Sequence, residues 1–287
     1  MHLEILSPFF YSYMLNAMII SSVVGGLCAF LSAYLILKGW SLIGDALSHS
    51  IVPGVAGAYI IGLPFSIGAF FAGGIAAFAM LFLNKRTGLK EDVIIGLIFT
   101  SFFGLGLFMI SLFPMAVDIQ TIIMGNILTI APKDTIQLLL IGVPSILILS
   151  LKWRDFMVTF FDENHAKTVG LNTERLKVLF FIILSLASVS GLQTVGAFLV
   201  IALLITPGAT AYLLTDRFGV LISLSVIIGS STCFLGTYLS FFLDGAVGGI
   251  IVIVQTVIFL SAFFVAPKHG YFTIRSRISR LLEKCND

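Results

Sequence analysis

Charge and cysteine are both scarce in this sequence. Of 287 residues, only 10% are charged, whereas 59% are hydrophobic. A domain with so few charges could not cover a water-exposed surface, so the composition excludes an ordinary soluble protein. The three cysteines, Cys28, Cys233 and Cys285, lie far apart with no Cys-x-x-Cys spacing. They therefore indicate neither a disulfide framework nor a thiolate metal site.

Motifs for ATP and peptide chemistry are also missing. The sequence has no Walker A motif, no His-Glu-x-x-His and no nucleophile elbow. These absences predict that the chain is not an enzyme and that any ATPase is a separate subunit. Basic and aromatic residues are not interleaved, so no nucleic-acid partner is expected.

Long apolar stretches are what the chain does contain. A helix needs about 20 mostly apolar residues to cross a bilayer. Repeated stretches of this kind predict an all-α polytopic membrane protein, one transmembrane domain over residues 1–287, with eight to nine spans. The second span opens with a polar motif, and the boundary at 191–194 is weak, so either place could break or merge. The predicted spans are 10–37, 42–61, 64–83, 93–113, 136–151, 178–190, 195–214, 220–243 and 247–266.

Lysine and arginine predict the orientation, because short loops rich in them stay in the cytoplasm. With nine spans, the basic residues fall on one side and only Lys133 falls opposite. This distribution predicts a cytoplasmic C-terminus with a basic tail over about 267–287, and an N-terminus on the outer side. With eight spans the N-terminus would be inside. The first apolar run is too long for a cleaved signal peptide and is interpreted as an anchor.

One acid and one histidine stand at the start of the second span. On a helix, Asp45 and His49 are four residues apart and share one face, and we expect Ser48 beside them. An ionised side chain near the bilayer centre costs about 2.5 to 3.5 kcal/mol, so such residues usually face a cavity or a partner. The pair is therefore predicted to line a transport pathway. Two alternatives stay open: a hydrogen bond that only stabilises packing, and a position near the cytoplasmic headgroups.

The chemistry of this pair suits a transition metal. A carboxylate and an imidazole can bind Mn(II), Fe(II) or Zn(II), whereas Cu(I) prefers sulfur. One chain supplies two such ligands, and two copies around an axis would supply four. Zinc binds most such sites more tightly than manganese, so the ligands do not assign the metal. Pro53 and Gly54 interrupt the helix just beyond the pair, which predicts freed carbonyls that line a cavity.

Several other segments allow two interpretations each. Residues 116–130 are either a re-entrant segment or an interfacial helix. Residues 152–177 form a cytoplasmic loop in which a short helix, with Asp162 and Glu163 in its first turn and a stop at Gly170, either docks a partner or is merely solvated. The break at 206–208 is either a hinge or a packing kink.

The remaining acidic residues and the glycine pairs favour structural roles. Glu91 and Asp92 are interpreted as capping the fourth span, and Asp118 and Asp244 as solvated groups on the outer side. Glycine pairs within spans predict close helix packing at 25–26, 73–74 and 248–249.

The residues around the acid and histidine resemble a known family. Gly44-Asp45-Ala46-Leu47-Ser48-His49, followed by Pro53-Gly54, is similar to the hallmark of the ABC-3 permeases, the membrane subunits of bacterial ABC importers for manganese, iron and zinc. The resemblance covers most of the chain and is closest to manganese/iron permeases. Its further segments are Glu91-Asp92 with 95–99, 125–128, 161–163 with Ala166 and Gly170-Leu171, and 195–211.

The resemblance implies a fold and a set of partners. The fold would be a type II-like ABC importer permease in the bacterial cytoplasmic (inner) membrane. The partners would be a cytoplasmic ABC ATPase dimer, an extracytoplasmic metal-binding protein, a second permease copy or paralogue, and membrane lipid. No cofactor would be bound permanently, and the transported ion would be Mn(II) and/or Fe(II). The alternatives are a zinc-specific permease, an ATPase-independent channel or secondary transporter, and a scaffold without a pathway.

The resemblance also implies roles for particular residues. Asp45 and His49 would line the metal path. A coupling helix contacting the ATPase would lie within 161–171, and the helix breaks could act as hinges. The residues concerned are Phe161, Asp162, Glu163, Ala166, Gly170 and Leu171 for coupling, and Pro53, Gly54, Pro207 and Gly208 for the breaks.

Overall fold

The computed structural model describes residues 6–40, 42–113, 127–130 and 132–266, without the side chains of Lys85, Thr129 and Lys133. This part of the chain is built from α-helices and contains no strand. Two short 3-10 helices cover Ser7–Phe10 and Ile127–Thr129. The α-helices are α1 (Ser12–Lys38), α2 (Ile43–Ser50), α3 (Val52–Ile61), α4 (Phe65–Arg86), α5 (Glu91–Leu112), α6 (Pro132–Leu151), α7 (Trp153–Phe161), α8 (Glu163–Thr168), α9 (Thr173–Val195), α10 (Ala197–Leu214), α11 (Phe218–Leu243) and α12 (Val247–Val265).

Eight of the nine predicted membrane spans are confirmed, and the second one is broken into two short helices. Within the described residues, 8 helices are long and apolar enough to cross a membrane. The second predicted span, 42–61, is divided into α2 and α3 at Ile51, where φ is −74° and ψ is −25°. These are helical dihedrals, so α2 and α3 are consecutive pieces of one broken helix, about 28 Å long at 1.5 Å per residue.

The boundary between the sixth and seventh spans lies at Gly196, and the predicted boundary at 191–194 was wrong. Residues 191–194 continue α9 as helix. At Gly196 the backbone adopts φ 87° and ψ 159°, a conformation that is strained for any side chain but open to glycine. The chain therefore turns at that residue, and α10 begins directly after it.

Small residues bring the central helix α1 against α11. A Cβ atom on Gly25 would lie 2.6 Å from the carbonyl oxygen of Gly229, and one on Gly229 would lie 2.7 Å from the oxygen of Gly25. Beside this crossing the Ser225 hydroxyl donates to the Ala29 carbonyl at 2.6 Å. Close packing at glycine pairs is thus confirmed at 25–26 and at Gly73, whereas a Cβ on Gly74 or Gly249 would meet no described atom within 4 Å.

The ends of the helices lie at two opposite sides of the bundle. Lys38, at the end of α1, lies 3.7 Å from Glu91 at the start of α5. At the opposite side, Phe9 packs against Tyr238 near the end of α11, with ring centroids 5.9 Å apart. We call the side that holds Lys38 and Glu91 the basic end, because the basic loops of the described chain meet there. Residues 114–126, most of the predicted re-entrant segment, and the tail 267–287 lie outside the described residues.

Candidate metal site

Asp45 and His49 lie on the one face of α2 that is not buried. Every other residue of this helix, which the structure describes completely, is buried. The side chains of Asp45 and His49 are 41% and 27% exposed. A Cβ on Gly44 would lie 3.0 Å from Leu204 Cδ1, so α2 packs closely on α10 and turns its polar face outward. The predicted shared face is confirmed, and it opens to the surface of the chain.

The two side chains are already close to each other. His49 Nε2 lies 3.2 Å from Asp45 Oδ1. Two ligand atoms bound to one ion at about 2.1 Å are about 3.0 Å apart at a right angle and about 3.4 Å apart in a tetrahedron. The observed separation therefore suits both chelate geometries. It is equally the length of a hydrogen bond, so the packing alternative is also satisfied by this geometry.

Ser48 does not belong to the polar face, and the expectation that it lies beside the pair was wrong. Its side chain is buried, at 2% exposure, and its hydroxyl donates to the Gly44 carbonyl at 2.8 Å. A serine hydroxyl within a helix can bond the carbonyl four residues earlier in this way, which satisfies it without any ligand.

Two aromatic rings that the sequence reasoning missed hold the imidazole in place. The His49 ring meets Phe99 at 5.4 Å and 71°, and Phe103 at 5.2 Å and 73°. Phe99 and Phe103 are themselves parallel, with an angle of 6° between their planes. Their spacing of four residues on α5 was the available signal, although that pattern is common in apolar helices. The imidazole thus packs edge-on against an apolar wall formed by these two rings.

One chain offers two metal ligands at this face. Within the described residues, no group of three or more His, Cys, Asp and Glu side chains could hold a metal ion. A bound ion would fill its remaining positions with water or with groups from another subunit.

The break beyond the pair is tightly packed. A Cβ on Gly54 would lie 2.1 Å from the Gly68 carbonyl oxygen, and the reciprocal distance from Gly68 is also 2.1 Å. On the other side, a Cβ on Gly106 would lie 3.0 Å from Pro53 N. The break itself lies at Ile51, so the predicted position at Pro53 and Gly54 is off by two residues: both lie in the first turn of α3, where α3 crosses α4 and α5. That carbonyls freed at the break line a cavity stays a prediction.

The second helix break is filled by a serine from α1. Pro207 lies inside α10, which continues through it. The Ser32 hydroxyl donates to the Ile205 carbonyl at 3.2 Å and accepts from the Gly208 N–H at 3.0 Å. A Cβ on Gly208 would lie 2.4 Å from that hydroxyl oxygen. This contact favours the packing kink over the hinge.

Comparison with known proteins agrees with this architecture. The family model described as the ABC 3 transport family matches residues 10–266. The chain belongs to this family.

Individual relatives extend the match along nearly the whole chain. It is 58% identical over 273 residues to the chelated iron transport system membrane protein YfeC of Yersinia pestis, covering 95% of this chain and 93% of that protein. It is 44% identical over 266 residues to the manganese transport system membrane protein MntB of Synechocystis, covering 93% and 87%. A chain in the solved structure of PsaBC from Streptococcus pneumoniae in complex with Fab is 34% identical, with a TM-score of 0.83, covering 96% and 100%.

At the basic end of this ABC 3 family chain, the predicted short helix is present as α8. Asp162 is its N-cap, and Oδ1 accepts from the backbone N–H groups of Asn164 and His165, each at 3.0 Å. The helix stops before Gly170, where φ is 86° and Leu171 N–H donates to the Ala166 carbonyl at 3.0 Å. These contacts form a helix start and a glycine stop of the kind that the sequence predicted.

The surface of α8 combines a buried anchor with exposed apolar groups. Ala166 is fully buried, whereas the side chains of Phe161 and Val169, which flank the helix, are 79% and 64% exposed. Exposed apolar side chains at a polar helix are a feature of protein contact sites.

Glu163 ties α8 to α9. Its carboxylate accepts a hydrogen bond from the Lys177 ammonium, and Lys167 Nζ lies 3.1 Å from Oε1. Burial raises the pKa of Glu163, but the hydrogen bonds from Lys177 and Lys167 outweigh it and lower the pKa to about 2. The predicted position in the first turn of α8 is confirmed, and the tie to α9 is an additional role.

This lowered pKa predicts a pH-dependent contribution to stability. The contribution is fully present above the unfolded value of 4.5 and is lost as the pH falls through about 2. We expect Glu163→Gln to lower the free energy of unfolding at pH 6 by about 1 kcal/mol or less, because water screens this half-exposed pair. The deficit should shrink steadily below pH 4.5. Thermal unfolding of the purified permease at several pH values measures it.

The matched control is Asp155→Asn in the neighbouring helix α7. This substitution removes a single ion pair, in which Lys152 Nζ lies 3.5 Å from Asp155 Oδ2. This variant should show a smaller deficit at pH 6. If the loss of unfolding free energy in Glu163→Gln stayed constant from pH 6 to pH 3, the lowered pKa of Glu163 would be contradicted.

Glu91 and Asp92 both lie in the first turn of α5, and Glu91 also contacts groups of other elements. The carboxylate accepts from Trp40 Nε1, and from Asn84 Nδ2 at 3.2 Å. Both donors come from outside α5, so Glu91 joins three elements at the basic end. Its place in the first turn, beside the positive end of the helix dipole, is as predicted. Asp244 is exposed at the end of α11, and Asp118 lies outside the described residues.

Proposed function

We propose that this chain is the membrane-spanning permease subunit of an ATP-binding cassette importer for divalent transition-metal ions, with Mn(II) and/or Fe(II) as substrate. One observation carries the proposal: in an ABC 3 family chain, Asp45 and His49 lie 3.2 Å apart on the one unburied face of a broken membrane helix. Ionisable groups placed in this way in a membrane protein usually serve a substrate path.

A second permease subunit completes the site in this proposal. A copy or a paralogue placed against the polar face of α2 adds a second carboxylate and a second imidazole. Four ligands of this kind suit Mn(II), Fe(II) or Zn(II) with water on the open positions. The outward opening of the face and the lack of a third ligand group in the described chain support this arrangement.

The partner ATPase docks at the basic end, which we place in the cytoplasm together with the C-terminus. Phe161 enters the partner surface, and Ala166 anchors α8 to this chain. Asp162, Glu163, Gly170 and Leu171 hold α8 in shape through its N-cap, its tie to α9 and its glycine stop. The chain has no Walker A sequence, so ATP hydrolysis belongs to the partner. An extracytoplasmic binding protein delivers the ion from the other side.

The choice of metal rests on relatives. Relatives named for chelated iron and for manganese are 58% and 44% identical to this chain. The ligands would also hold zinc, so a zinc-specific permease is the competing assignment. Uptake of radioactive Mn(II) in competition with Fe(II) and Zn(II), in cells carrying the whole complex, separates the two. In a manganese/iron permease, labelled Mn(II) and Fe(II) should each accumulate in the cells and reduce the uptake of the other, whereas labelled Zn(II) should not accumulate even where it blocks Mn(II) uptake by tight binding.

Dependence on the ATPase tests the importer itself. In cells carrying the complex with a catalytically inactive ATPase, we expect uptake of Mn(II) to fall to the level of cells without the permease. The control is the same complex with the active ATPase at equal permease abundance. Uptake that persists with the inactive ATPase would instead support a channel or an ion-coupled transporter.

A further inference from the structure

Trp40 occupies the corner between the central helix and the helix that carries the metal ligands. Helix α1 ends at Lys38 and is capped by Gly39, where φ is 76°, and the Trp40 N–H donates to the Leu35 carbonyl at 2.8 Å. The Trp40 side chain is 4% exposed, although it lies at the basic end of the bundle. Trp40 is therefore a packed residue, and it stands three residues before α2 begins.

One set of contacts joins Trp40 to the docking side. Its ring meets Phe160 at 5.6 Å and 74°, and Phe181 at 5.4 Å and 44°. Phe160 is the neighbour of the exposed Phe161 at the end of α7, and Phe181 lies on α9, one turn beyond Lys177. Phe160 is buried, so a movement of α7 and α8 displaces a ring in direct contact with Trp40.

A second set of contacts joins Trp40 to the metal side. The indole Nε1–H donates to Glu91 Oε2 at the start of α5. Helix α5 also carries Phe99 and Phe103, the two rings that hold the His49 imidazole. Trp40 thus contacts the helix that supports His49, and it directly precedes the helix that contains His49.

A cleft beside Trp40 leaves room for relative movement. It has a volume of about 430 Å³. It is lined by residues from both sets of contacts, among them Lys38, Trp40, Glu91, Glu163 and Lys177. Open space therefore lies next to the Trp40 ring and next to both carboxylates. A packed ring next to open space can move from one packed position to another in a single discrete step, because packed side chains do not deform continuously.

From these contacts we infer that Trp40 is a positioning residue that transmits movement of α7 and α8 to α2 and α5, and so sets when the Asp45 and His49 site opens. This inference rests on the proposed function, since it needs an ATPase that moves α8. Beyond that function, the coupling runs through the Trp40 indole. Its ring contacts Phe160 and Phe181, and its Nε1–H donates to Glu91 on α5.

The test uses the whole complex of permease, ATPase and binding protein in proteoliposomes. Trp40→Phe keeps a ring and removes the Nε1 donor, Glu91→Gln weakens the acceptor, and Trp40→Leu removes both contacts. Three quantities are measured: ATP hydrolysis with and without binding protein loaded with Mn(II), Mn(II) uptake, and Mn(II) bound by the detergent-purified complex. The control is Gln193→Ala, which breaks a 3.0 Å interhelical hydrogen bond with Gln137 at the other end of α9.

We expect Trp40→Phe to reduce stimulation of ATP hydrolysis and Mn(II) uptake at least about 5-fold, the lower end of typical coupling effects. Glu91→Gln should reduce them in the same direction, and Trp40→Leu more strongly. Basal hydrolysis and Mn(II) binding should stay within about 2-fold of wild type in Trp40→Phe, and Gln193→Ala should resemble wild type throughout.

Two results would overturn the inference. One is unchanged stimulation and uptake in both Trp40→Phe and Trp40→Leu. The other is a loss of Mn(II) binding in Trp40→Phe equal to its loss of uptake, which would make Trp40 a structural support of the site. Failure of the proposed function is a different observation, because the wild-type complex would then show neither stimulated hydrolysis nor ATP-dependent uptake.

Discussion

Asp45→Asn and His49→Gln are each expected to reduce metal uptake by at least about 100-fold at unchanged protein abundance. Loss of a group that merely supports a metal ligand commonly costs 10- to 100-fold in affinity or activity, so loss of a ligand itself should cost at least as much. Both substitutions keep the size and polarity of the side chain. In a pair of identical subunits, each substitution also removes two of four ligands at once. Initial rates of Mn(II) uptake in cells carrying the whole complex measure the effect.

The matched control for the acid is Asp244→Asn. Asp244 is exposed at the end of α11 and has a positive φ of 47°, which asparagine tolerates. This variant should transport at the wild-type rate within about 2-fold, since it keeps every ligand. Uptake that survives in both Asp45→Asn and His49→Gln would show that their contact only stabilises packing.

Gly54→Val is expected to give the largest loss of stability. A Cβ on Gly54 would lie 2.1 Å from the Gly68 carbonyl oxygen and 2.5 Å from Ala72 Cβ. The obstructing atoms belong to backbone and to a methyl group, which cannot rotate away, so α3 and α4 must separate. Overpacking of a core costs about 1 to 3 kcal/mol, and a backbone clash should reach or exceed the upper end. Thermal unfolding of the purified permease and its abundance in the membrane are the measurements.

Gly74→Ala on α4 is the control for Gly54→Val. A Cβ there meets no described atom within 4 Å, and alanine is a better helix former than glycine by about 0.5 to 1 kcal/mol. This variant should be as stable as wild type or slightly more stable. If Gly54→Val unfolded at the same temperature as Gly74→Ala, the close crossing of α3 and α4 would be wrong.

Much of the fold could be predicted because the bilayer imposes a simple rule. Runs of about 20 apolar residues indicate spans directly, and Pro53 and Gly54 indicated a break in the second span within two residues of its position at Ile51. The boundary at Gly196 could not be found in this way. Glycines are frequent in these helices, and only the folded backbone reveals which of them adopts a positive φ.

The site was predictable where it depends on one helix and unpredictable where it depends on several. The four-residue spacing of Asp45 and His49 is a property of α2 alone, and it placed both groups on one face. The inward turn of Ser48 depends on how α2 packs against its neighbours. The Glu91 contact with Trp40 and the wall of Phe99 and Phe103 depend on the position of α5. No local pattern in the sequence encodes those positions.

The most direct test of the central claim is the ligation of Mn(II) bound to the purified complex, observed by electron paramagnetic resonance with detection of coordinated nitrogen. We expect one Mn(II) for each pair of permease subunits, with a histidine nitrogen signal that disappears in the Asp45→Asn, His49→Gln double variant. A double variant that bound the same amount of Mn(II) with the same nitrogen signal would contradict it.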